Sequence, residues 1–122
     1  MEELKLGVIE TRFAEIIWNN APIASGELVK LCEKEFNWKK STTYTVLKKL
    51  CNKGIFDNRD GRVEVIVSKE DFYSLKSEKI IEEEFSGSLP AFIAAFTKRK
   101  NLDEKEIAEI KKMIDSFGRG KE

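Results

Sequence analysis

Histidine is absent from all 122 residues. That removes the commonest general base and the commonest metal ligand, and with them Ser-His-Asp, Cys-His and histidine-rich zinc chemistry. The only cysteines, Cys32 and Cys51, are too few for a disulfide scaffold or a four-ligand zinc site. No long apolar run is present. The longest, Ala91 to Phe96, is far short of a membrane span. Met1 is followed by Glu2 and Glu3, the opposite of a basic secretory n-region, so no secretory leader is expected. Net charge is also lacking: Lys plus Arg is 22 and Asp plus Glu is 22. Any nucleic-acid site must therefore come from local segregation of charge. No carboxylate pair, glycine-rich phosphate loop or activated nucleophile stands out, so neither an enzyme nor a bound cofactor or metal is expected. The expectation is a soluble protein of the reducing cytoplasm.

What is present suits one domain, or a small domain with an appendage. Apolar residues make up 41% of the chain, enough for a core, and charged residues 36%, which implies much solvated helix surface. Leu6, Ile9, Phe13, Ile16 and Ile17 recur at helical spacing up to Trp18, and Pro22 ends that helix. Ser25 is the expected cap of a second helix striped by Leu28, Leu31, Cys32 and Phe36. Residues 37–40 form a polar connection with Trp38 as the plug between helices. A third helix runs from a cap at Ser41 to about Lys53, and Gly54 fits the position just past its end. Its core face is Thr43, Val46, Leu47 and Leu50. At 100° per residue the opposite face carries Ser41, Thr45, Lys48 and Asn52, flanked by Thr42, Tyr44 and Lys49.

Residues 55–67 read as a β-hairpin. Asp60-Gly61 is a turn signal, and Val63, Val65 and Val67 alternate with Glu64 and Ile66. The order helix–helix–helix–hairpin is that of a winged helix-turn-helix domain. A fourth helix follows with Phe72, Leu75, Ile81 and Phe85, broken at Phe85-Ser86-Gly87-Ser88. A fifth carries Leu89, Phe92, Ile93 and Phe96. A sixth spans Leu102 to Phe117, striped by Ile107, Ile110, Ile114 and Phe117. The fold expected is mainly α with a small hairpin: a winged-helix domain over 1–68 and a helical region over 69–122.

Charge separates along this order. From Phe36 to Arg62 the basic residues Lys39, Lys40, Lys48, Lys49, Lys53, Arg59 and Arg62 face only two acids, Asp57 and Asp60. From Lys69 to Phe85 acids exceed bases two to one. A lysine cluster alone is most often a solvated face. Here it coincides with the recognition helix and the wing, the two elements such a domain presents to DNA. The hydroxyls of Ser41, Thr42, Tyr44 and Thr45 lie at the end of the third helix that meets base edges, with Ser41 equally well explained as a cap. Cys32 and Cys51 read as small buried hydrophobes.

The run from Ser41-Thr42-Thr43-Tyr44-Thr45 through Val46-Leu47-Lys48-Lys49-Leu50 to Lys53-Gly54-Ile55 resembles the recognition helix of the penicillinase-repressor family. That family includes the β-lactamase, methicillin-resistance and copper-responsive repressors. Trp18, the stretch Pro22 to Leu28, the hinge Phe85-Ser86-Gly87-Ser88 and the start Leu102-Asp103-Glu104-Lys105-Glu106-Ile107 match in order over nearly the whole chain. The resemblance implies a homodimeric transcriptional repressor on a dyad operator in double-stranded DNA. On that reading Lys39, Lys40, Lys48, Lys49, Arg59 and Arg62 contact phosphate, while Thr42, Tyr44, Thr45 and Lys48 read bases.

The apolar load of the last three helices points the same way. Phe72, Phe85, Leu89, Phe92, Ile93, Phe96, Ile110, Ile114 and Phe117 exceed what so small a bundle hides, and a two-fold partner would cover them. Three departures bear on regulation. Residues 102–122 hold no Cys or His, against metal sensing of the copper-responsive kind. Ala95-Phe96 stands where the β-lactamase-type repressors are cut at Asn-Phe, against control by an identical protease. Ser86 replaces a usual glycine, and Gly87 is expected to preserve the helix break. The controlling protease or effector stays open, as do two rival readings on the same fold: an effector-responsive sensor and a protein–protein adaptor.

Overall fold

The computed structural model describes residues 5–120. Helix α1 spans Val8–Asn20, entered where Glu10 Oε1 accepts from the Gly7 N–H at 3.1 Å. Phe13, Ala14 and Ile17 are its buried residues. Ile9, expected on that stripe, is 48% exposed instead. The helix ends at Ala21, ahead of a cis Ala21–Pro22 bond.

Strand β1, Ile23–Ala24, precedes helix α2, Ser25–Phe36. Ser25 is the first helical residue and is buried, so it does not cap the helix as expected. Leu28 and Cys32 complete the buried face. Asn37 closes α2 in the left-handed region, a conformation that Asn tolerates better than most residues. Trp38 then plugs the corner, its ring 4.6 Å from Phe36 and 5.7 Å from Phe13.

Helix α3 spans Lys40–Asn52. Its cap position is Lys39, not Ser41: Lys39 is extended, and its carbonyl accepts from the Thr43 N–H at 3.1 Å. Ser41 therefore sits inside the first turn. Thr43, Leu47 and Leu50 are buried, and Val46 packs on the core edge. Gly54, at φ +82°, ends the helix where a side chain would be strained.

The hairpin forms from β2, Phe56–Arg59, and β3, Arg62–Val65. Asp60 and Gly61 both take positive φ, as a two-residue hairpin turn requires. Arg59 pairs with Arg62, and Phe56 with Val65. The sheet has a third member. Strand β1 pairs antiparallel with β3, giving the order β1-β3-β2. Two residues are too few to show alternation, so β1 left no period in the sequence.

Helix α4 spans Lys69–Phe85. Ser68 Oγ accepts from the Asp71 N–H at 3.1 Å and starts it. Phe72 is fully buried with Phe13, Ile17, Leu28, Leu47, Leu50, Ile55, Phe56 and Val63 in one core. Trp18 joins it from the edge: its ring lies 5.3 Å from Phe72 and 5.6 Å from Phe56, and its Nε1–H donates to the Val67 carbonyl at 3.0 Å. This corrects the placing of Phe72 among the residues facing a partner copy. A side chain with no exposed surface inside its own unit has nothing left to offer an interface. The chain divides by contacts after Lys79, inside α4, whereas the expected boundary was 68/69.

The second unit begins at Ile80. Ser86 and Gly87, both at positive φ, break α4, so the hinge survives the serine. Helix α5, Leu89–Arg99, is capped by Ser88 Oγ, which accepts from the Ala91 N–H at 3.0 Å. Helix α6 spans Glu104–Gly120. Asp103 and Glu106 exchange bonds at its start: the Glu106 N–H donates to Asp103 Oδ1 at 2.8 Å, and the Asp103 N–H to Glu106 Oε1 at 3.4 Å. Phe92 stacks edge-on to Phe85 at 5.4 Å and lies 6.2 Å from Phe96. No residue of α5 is fully buried, and Leu89, Ile93, Phe96, Ile107, Ile114 and Phe117 are all exposed.

Candidate nucleic-acid interface

Burial of Thr43, Leu47 and Leu50 fixes the rotation of α3 about its axis. The residues left outward are Lys40, Ser41, Thr42, Thr45, Lys48, Lys49 and Asn52, all exposed. Lys39 stands exposed just ahead. The structure thus gathers Lys39, Lys40, Ser41, Thr42, Thr45 and Lys48 on or beside one open helix face. Thr45 donates its hydroxyl to the Ser41 carbonyl at 2.9 Å, which leaves its oxygen free to accept. Among the described residues no acid pairs with Lys39, Lys40 or Lys48.

Tyr44 is placed differently. It is half-buried, and its hydroxyl donates to Ser25 Oγ at 2.9 Å. Ser25 in turn donates its N–H to the Gly61 carbonyl at 2.7 Å. Ser25 thereby joins the third helix to the hairpin turn, a role its position in the sequence does not announce. The Tyr44 donor is engaged inside the protein, and Lys40 Nζ lies over the ring, 6.0 Å from its centroid.

Lys49 also has an internal partner. Its ammonium pairs with Glu10 Oε2, and Lys53 stands 4.0 Å from Glu10 Oε1 while donating to the Lys5 carbonyl. The Lys49 bond holds the Glu10 carboxyl below the usual carboxylate range, against the opposing effect of burial. Glu10 was missed from the sequence because nothing in the third-helix run shows that the start of α1 brings an acid to Lys49 and Lys53.

At the wing, Arg59 Nε donates to Asp57 Oδ2 at 2.7 Å and lies 3.5 Å from Glu64 Oε1. Arg62 Nε lies 3.8 Å from Glu64 Oε2. Both arginines are exposed, side by side across the register, and each has an acid beside it. Burial raises the Cys32 and Cys51 thiols above their ordinary range, with Asp57 adding to the effect at Cys51. Neither is tuned toward a reactive thiolate.

Three helices with an open polar and basic face on the third, followed by a hairpin, define a winged helix-turn-helix protein. The family model of the penicillinase repressors matches residues 6–116, and the chain belongs to that family. It is 26% identical over 110 residues to the penicillinase repressor of Bacillus licheniformis, covering 87% of this chain and 86% of that protein. The family consists of transcriptional regulators, not enzymes. Among the described residues no helix is long and apolar enough to cross a membrane.

Proposed function

We propose that the chain is a transcriptional repressor that binds a dyad operator as a homodimer and works in the cytoplasm. Helix α3 enters the major groove with Ser41, Thr42 and Thr45 toward base edges and Lys39, Lys40 and Lys48 toward phosphate. The hairpin lies along the backbone, where Arg59 and Arg62 are shared between Asp57, Glu64 and phosphate. The observation that carries this reading is the open face of α3, where hydroxyls stand together with lysines that have no acidic partner among the described residues.

Dimerisation belongs to the second unit. Leu89 at 55%, Phe96 at 47% and Ile114 at 64% exposure leave an apolar surface that a second copy would cover isologously. Two α3 helices would then meet half-sites about one helical turn apart, roughly 34 Å. Repression follows because the bound dimer excludes the polymerase.

The test is a footprint of the purified protein on DNA upstream of its own gene, at about physiological salt with excess competitor. A pair of symmetric protected half-sites is expected. Uniform or absent protection contradicts the proposal and favours the adaptor. Dimerisation has its own test. Ile114→Asp alters a side chain already open in one protomer, so it is expected to yield folded monomers by sedimentation. A variant that stays dimeric places the interface elsewhere.

A further inference from the structure

Glu10 is an acid set against the basic helix. Its Oε1 accepts from the Gly7 N–H at 3.1 Å and stands 4.0 Å from Lys53 Nζ, while Oε2 pairs with Lys49. Its side chain is only 19% exposed, Lys53 is 18% exposed, and Lys49 is 57% exposed. Lys48, one residue earlier, has no acidic partner among the described residues.

Neighbouring lysines on one helix therefore differ in the net local charge they present to DNA. An unpaired lysine that meets phosphate releases a condensed counterion, and this release produces most of the sequence-independent affinity. A lysine already neutralised by the protein adds nothing of that kind unless its pair breaks. Breaking it would leave Glu10 with only the Gly7 N–H and the more distant Lys53, which is less favourable.

We infer that Glu10 sets the electrostatic share of DNA binding by withholding Lys49 and Lys53 from the phosphate backbone, leaving Lys48 to make the contact. The inference rests on the DNA-binding reading above. It revises the sequence-based assignment of Lys49 as a phosphate contact.

The test is the salt dependence of binding to a random-sequence duplex, followed by fluorescence anisotropy between roughly 50 and 200 mM salt. The whole chain is used. Glu10→Gln keeps an oxygen that can accept from Gly7 but removes the charge. It is expected to tighten binding and to steepen the slope of log K against log salt by about 0.9, or about 1.8 if Lys53 is released as well. Adding Lys49→Ala to Glu10→Gln is expected to remove about 0.9 of that slope. Lys49→Ala alone is expected to leave the native slope unchanged, whereas Lys48→Ala alone flattens it. A lost helix cap would not produce this non-additive pattern.

An unchanged slope in Glu10→Gln overturns the inference. So does a steeper slope that ignores the added Lys49→Ala. Should Glu10→Gln fail to fold, Lys49→Ala alone decides: a loss of about 0.9 in slope overturns the inference, and no loss supports it. A native protein with no salt-dependent affinity for DNA is a separate result, which removes the DNA-binding reading itself.

Discussion

Phe72→Ala tests where the first unit ends. Phe72 has no exposed surface, and its ring lies 5.3 Å from Trp18 and 5.2 Å from Tyr73. A buried aromatic side chain removes about 150–200 Å² from water, which at about 25 cal/mol per Å² sets a ceiling of about 4–5 kcal/mol. Phe-to-Ala substitutions in cores cost about 3–5 kcal/mol, because the cavity refills only in part. Domains are stable by about 5–15 kcal/mol, so the variant should lose a large share of its stability. The assay is urea unfolding followed by tryptophan fluorescence, which reports directly because Trp18 borders the site. Sedimentation of the folded variant should show an unchanged oligomeric state. A loss below about 1 kcal/mol, or monomers with native stability, would return Phe72 to an intersubunit surface and refute its place in the core.

Other consequences are independent of that one. Among the described residues Thr43 Oγ1 is buried with no hydrogen-bond partner of normal geometry, only a weak contact with the Cys32 thiol, so Thr43→Val should stabilise the protein by about 1 kcal/mol in the same unfolding assay; destabilisation would show that the thiol satisfies the hydroxyl. Tyr44→Phe removes the bond to Ser25 and should cost about 0.5–1.5 kcal/mol of stability, whereas an unchanged stability with weakened DNA binding would return the hydroxyl to base reading. The Glu10 carboxyl is depressed by Lys49, so its contribution is full above the unfolded-state carboxylate pKa and is lost as pH falls through the folded one. Glu10→Gln should therefore flatten the acid side of the stability–pH curve, and an unaltered curve would mean that the pair contributes nothing in solution.

The legible parts of this protein were those set by local chemistry. Apolar spacing located the six helices, and Asp60-Gly61 announced a turn in which both residues take positive φ. The outward face of α3 also followed from spacing, because burying Thr43, Leu47 and Leu50 leaves only one way to point Thr45 and Lys48. What escaped depended on distant neighbours. Phe72 fitted an apolar stripe, but periodicity does not say whether Trp18 or a second copy covers it. Tyr44 and Lys49 fitted an exposed flank until Ser25 and Glu10 arrived from other helices. Ser41 had the chemistry of a cap, yet the backbone turned one step earlier, at Lys39. The two residues of β1 pair only because β3 comes to meet them.

The open face of α3 is proposed to meet DNA. The most direct measurement compares native protein with Lys48→Ala on operator-bearing DNA over a range of salt. Weaker binding is expected, with a slope flatter by about 0.9 for the loss of one phosphate contact. An unchanged affinity and slope would take α3 off the DNA and contradict the proposed function.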